Sequence, residues 1–167
     1  MDLIQCGCLK CVDWRVSWFA PVAGILVFLL WMSLERGSHP DTGFAAALAA
    51  ASPLARAVWL ICRTVAAVIT VPIAEELAFR GFLIRRLMAA DFESLDFRSF
   101  SYFAILLSSL AFGFLHGGRW LAGTGAGILY AVAFLRRGRI GDAAVAHAIT
   151  NALLALEVVI GGKWYLW

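Results

Sequence analysis

Charge is what this sequence lacks most. Asp, Glu, Lys and Arg together make up 15% of its 167 residues, where a water-soluble domain carries about 25%. With hydrophobic residues at 62%, too few polar side chains remain to clothe a soluble globule. An excess of one sign is missing as well. Fourteen basic residues against eleven acidic ones leave a net charge of +3, too weak to attract a polyanion, so nucleic acid is not an expected partner. Cysteine is sparse and badly spaced for a scaffold. Cys6, Cys8 and Cys11 crowd the N-terminus and Cys62 stands alone; no second Cys or His cluster follows at ligand spacing, which excludes a disulfide framework and a metal knuckle. The length fits one domain.

Long apolar runs are what the sequence has instead. A helix needs about 20 mostly apolar residues to cross the hydrocarbon core. Five stretches meet this: Val16–Leu34, Arg63–Leu83, Phe100–His116, Trp120–Leu135 and Ala143–Ile160. The first resembles a signal segment but lacks a small-residue cleavage site, so it reads as a retained helix. Between the first two, Ser38 to Gly43 is a turn signal, and the Ala-rich run from Phe44 to Ala51 is too short to span and reads as interfacial or re-entrant. The expected fold is therefore all-α, a polytopic transmembrane helical bundle of about five spans. Its parts are a short cytoplasmic tail over 1–15, a first membrane helix plus interfacial segment over 16–62, and a core over 63–167. Lys10 and Arg15, then Arg85, Arg86 and Arg98, then Arg136, Arg137 and Arg139 all fall on one side of such a bundle, which puts the N-terminus in the cytoplasm and the C-terminus outside.

Ionisable residues stand where the bilayer disfavours them. The second span holds Glu75, Glu76 and Arg80, and each ionised group at the bilayer centre costs about 2.5–3.5 kcal/mol. Glu76 and Arg80 are spaced for a helical ion pair in its favourable order. Glu75, turned about 100° away, has no partner on its own helix. Facing candidates are His116, which ends the third span, and His147 and Asn151, which share one face of the fifth. A straight third helix sets His116 nearer the outer face than Glu75; Gly113, Gly117 and Gly118 offer places to bend it.

A carboxylate beside an imidazole can hold and deprotonate water, and an imidazole one turn from an amide offers two donors to a developing oxyanion. These are parts for water attack on an amide bond. A G-x-S-x-G elbow, an H-E-x-x-H helix and a paired membrane Asp are all missing. Ser108 and Ser109 have no matching acid.

EELAFR (Glu75–Arg80), FGFLH (Phe112–His116) and HAITN (His147–Asn151) resemble the EExxxR, FxxxH and HxxxN motifs of the CPBP intramembrane proteases. That family includes the type 2 CAAX prenyl endopeptidases and the Abi proteins. The resemblance implies a glutamic endopeptidase of the bacterial inner (plasma) membrane, near the minimal catalytic core in length and without a cofactor. Its substrate would be a membrane-associated protein or peptide. Glu75 and His116 would activate water, His147 and Asn151 would bind the oxyanion, and Glu76, Arg80 and Phe112 would support the site. Val71–Leu83, Leu106–Thr124 and Lys163–Trp167 also resemble the protease domain found with bacterial exosortases, which implies an exosortase system as partner.

Other readings stay open at this level. Two histidines and a glutamate form a catalytic zinc set, with Glu75, His116 and His147 as ligands and Glu76 as base. A non-catalytic, immunity-like membrane protein needs none of this chemistry. A proton-coupled transporter would use buried Glu and His, but five spans without an inverted repeat make a poor one.

Overall fold

The computed structural model describes residues 13–35 and 42–167. The thiols of Cys6, Cys8 and Cys11, the charge of Lys10 and most of the turn before Gly43 lie outside the described residues. Six helices make up most of the described residues: α1 (Phe19–Leu34), α2 (Thr42–Ala50), α3 (Pro53–Met88), α4 (Tyr102–Phe114), α5 (Trp120–Arg137) and α6 (Ile140–Val159). No strand occurs among the described residues.

The largest departure from the sequence reading is the start of α3. Ser52 and Pro53, just past the Ala-rich run, begin a new helix ten residues before the expected span at Arg63. The Ser52 hydroxyl accepts the Ala55 N–H at 3.3 Å, and proline stands in the first turn, where its missing N–H costs nothing. From there α3 runs without interruption to Met88, through the junction at residue 62. Arg63 thus lies inside the helix rather than at the edge of a span. The third apolar stretch is shorter than expected. Ser101 caps α4 through the Ala104 N–H, the helix ends at Phe114, and His116 sits in the following turn.

By length and composition α3 and α6 can each cross a membrane, while α1 and α4 are apolar but shorter. Burial points the same way. Leu54, Val58, Ile61, Val65, Ile69 and Ile73 are all exposed and recur every three or four residues, which makes one stripe along α3. A stripe of bare aliphatic side chains about 29 Å long is a surface for hydrocarbon, not water.

The helices run up and down. At one end Asp13, ahead of α1, meets Arg139, between α5 and α6, at 3.1 Å, and the Ser17 N–H donates to the buried Asp142 carboxylate in the first turn of α6. Arg15 beside Asp13 holds that carboxyl down at about 2, from its ordinary 3.8, so this exposed tie is fully formed above pH 4 and is lost only as pH falls toward 2. At the other end Arg119, ahead of α5, pairs with Glu35, after α1, and donates to the Tyr165 carbonyl near the C-terminus at 2.6 Å.

Between these ends α1 packs on α5 and α6, α4 lies along α5, and the middle of α3 packs on α6. Small residues allow the close approaches, as in other membrane bundles. Gly24 of α1 rests on the Ala146 carbonyl and Ile149, and Gly113 of α4 on the Trp120 carbonyl and Thr124; a Cβ at either would collide. Val27, Phe112, Tyr130, Phe134, Ile140 and Ala146 form the centre of the core.

Candidate active site

The site is built where α3 departs from regular α-helix. Over Ala66–Thr70 the helix is π-wound, with the Val71 N–H bonded five residues back to the Ala66 carbonyl. The next bond in that pattern would run from residue 72 to the Ala67 carbonyl, but Pro72 has no N–H. The carbonyl left open is taken by α6: Asn151 Nδ2 donates to it at 2.8 Å. A second π-wound segment, Leu77–Leu83, follows the two glutamates. Such bulges recur at functional sites because they re-aim side chains.

Glu76 and Arg80 are fully buried and form the expected ion pair, with Arg80 Nε 3.0 Å from Glu76 Oε2. The other carboxylate oxygen lies 2.9 Å from His147 Nδ1. Arg80 also donates from Nη2 to the Gly127 carbonyl at 2.8 Å, and its guanidinium lies over the Phe112 ring at 4.8 Å. Charge, hydrogen bonds and cation–π contact therefore fix the pair between α3, α4 and α5.

Both catalytic candidates on the histidine side are held by the same atom of the ring. His147 donates from Nδ1 to the Glu76 carboxylate, since an ionised carboxylate only accepts. His116 donates from Nδ1 to the Phe112 carbonyl at 2.8 Å. Each neutral ring then keeps a bare Nε2. Aromatic rings pin both in place: Tyr130 stacks flat on His147 at 4.8 Å and 16°, Trp31 meets His116 edge-on at 5.3 Å, and Phe112 touches both.

His116, His147, Asn151 and Phe112 share the wall of one cavity of about 190 Å³. The bend anticipated at the end of the third span occurs, since the His116 N–H closes a turn onto the Gly113 carbonyl at 2.9 Å. Glu75 is not part of that wall. It approaches from α3, partly exposed, with Oε2 3.9 Å from His147 Nε2. That is too long for a direct hydrogen bond and right for one bridged by a third group.

Among the described residues no three His, Cys, Asp or Glu side chains gather at metal-ligand spacing, and Glu75 Oε2 and His147 Nε2, two members of the zinc set, stand 3.9 Å apart.

The sequence reading missed part of the cavity. Tyr130, Trp31, Thr150 and Trp167 line it, as does Arg63. Tyr130 carried a usable signal, a hydroxyl inside an otherwise apolar span. Ser108 and Ser109, both buried, lie outside the cavity.

A family model described as Type II CAAX prenyl endopeptidase Rce1-like matches residues 57–153. The match covers more than half of the chain, including Glu75, Glu76, Arg80, His116, His147 and Asn151. No curated protein and no solved structure matches.

Proposed function

Because the chain belongs to the family of Rce1-like type II CAAX prenyl endopeptidases, a family of membrane proteases, we propose that it cuts a peptide bond with a water molecule activated by Glu75 and His116. The observation that carries this reading is the pairing of two imidazoles whose Nδ1 atoms are both occupied, so that their Nε2 atoms remain for chemistry. Water between the Glu75 carboxylate and the imidazoles gives its proton to Glu75. The hydroxide adds to the carbonyl carbon, and the oxygen charge that develops is met by Asn151 and by His147, whose bare Nε2 first takes up a proton from solvent and so becomes a donor. One Asn151 N–H is held by Ala67, and the second is available to the oxyanion. The proton on Glu75 then passes to the leaving amine as the C–N bond breaks. Glu76 and Arg80 do no chemistry; they hold the His147 ring.

Asn151→Ala tests the oxyanion assignment. Losing one such donor typically costs about 10²–10³ in rate, so kcat should fall by that factor with KM little changed. An unchanged kcat would remove Asn151 from the scheme.

We further propose that α1, α3, α4, α5 and α6 cross the bilayer of a bacterial inner membrane with the N-terminus in the cytoplasm. The basic groups support this. Arg15 and Arg139 meet through Asp13, and Gly138 lies against Arg98, so these clusters share one end of the bundle, as positive-inside orientation requires. The cavity wall includes Trp167, from the opposite end. A reporter fused after Trp167 should be extracytoplasmic and one inserted at Gly138 cytoplasmic; the reverse result would invert the orientation. A membrane-anchored peptide or sorting substrate fits such a site, and an exosortase gene beside this one would support that partner.

A further inference from the structure

One charged side chain on the cavity wall has no role in the hydrolysis. Arg63 lines the same cavity as His116, His147 and Asn151. No aspartate or glutamate lines that cavity, and none forms an ion pair with Arg63 among the described residues. Its guanidinium lies over the Trp167 ring, 5.5 Å from the centroid, which fixes the group without neutralising it. Arg63 is exposed as a whole, so the guanidinium is open to a ligand, whereas Arg80, the other cation of this site, is buried and paired.

We propose that Arg63 binds a carboxylate of the peptide substrate, close to the bond that is cut. This rests on the hydrolytic reading above. A planar guanidinium presents a fork of donors that matches a carboxylate in two parallel hydrogen bonds. Arg63 lies one helical turn before Ala67, about 6 Å along the axis, and Ala67 holds Asn151. An extended peptide advances about 3.3–3.6 Å per residue, so the carboxylate belongs about two residues from the scissile bond. The cavity, about 190 Å³, takes a side chain or a chain end and is too small for a two-chain phospholipid.

The test uses the purified full-length protein in detergent with three small probes: N-acetyl-leucine, N-acetyl-leucine amide and N-acetyl-glutamic acid α-amide. The readout is the probe concentration giving half of the maximal rise in melting temperature. At least one carboxylate probe should bind about tenfold or more tightly than the neutral amide, since hydrogen bonds to charged groups are the strong ones. Arg63→Gln should erase that preference, and Arg63→Lys should keep part of it. A preference for N-acetyl-leucine assigns a chain terminus, and one for the glutamate derivative assigns an acidic side chain; either supports the proposal. Equal binding of acids and amide, or an equal loss for all three in Arg63→Gln, would overturn it. So would displacement of the acid by short-chain phosphatidylglycerol at the same concentration, which would make Arg63 a headgroup contact. Cleavage plays no part in the measurement, so a protein that fails to hydrolyse peptides would count against the mechanism and leave this result standing.

Discussion

Glu76→Ala and Arg80→Ala should each destabilise the protein by about 3–5 kcal/mol, because each leaves one buried charge without its partner. Both side chains are fully buried, and they meet at 3.0 Å out of reach of bulk solvent. The double variant should be more stable than the sum of the two singles implies, since it removes both charges together. The pair is not isolated. Glu76 also accepts from His147, so the Glu76 variant frees that ring as well and should lose activity even where it folds. Melting temperatures of the four proteins in one detergent complete the cycle. Additive losses would show that the ion pair contributes nothing.

His116→Ala should lower the rate of hydrolysis by about 10²–10⁴, the usual share of a positioned acid–base group, while the protein still folds. The ring makes one hydrogen bond, to a carbonyl of its own turn, and packs against Trp31, Phe112 and Gly123. The helices meet mainly through other residues, the buried core of Val27, Tyr130, Phe134, Ile140 and Ala146 among them. A circular dichroism melt near that of the native protein, beside a lost rate, is the expected combination. Native turnover by this variant would assign water activation to Glu75 and His147 without it.

Much of this site was legible in the sequence, because charge inside an apolar run has few explanations. Glu76 and Arg80 could be paired from spacing alone, and Phe112, His116, His147 and Asn151 belong to one cavity. The start of α3 was not legible. Arg56 and Arg63 interrupt the hydropathy of residues 53–65, and Ser52–Pro53 ends one helix pattern while beginning another. That misplacement hid Arg63, which looked like the edge of a span and lies on the cavity wall. The contact between Asn151 and Ala67 depends on a local rewinding at Pro72, and no periodicity announces which carbonyl a proline will leave open. Tyr130 reaches His147 through the packing of α5 on α6, a fact of tertiary structure.

The account turns on Glu75 as the base, and Glu75→Gln tests it with the least disturbance. The side chain is partly exposed, His147 Nε2 stands 3.9 Å from its carboxylate, and glutamine keeps its shape while losing the ability to take a proton. Turnover of a membrane-anchored peptide by purified native and variant protein, in buffer containing a metal chelator, is the measurement. The native protein should cleave at an undiminished rate under chelation, and Glu75→Gln should be slower by about 10³ or more. Near-native turnover by Glu75→Gln, or loss of native activity that zinc alone restores, would contradict glutamate-activated hydrolysis.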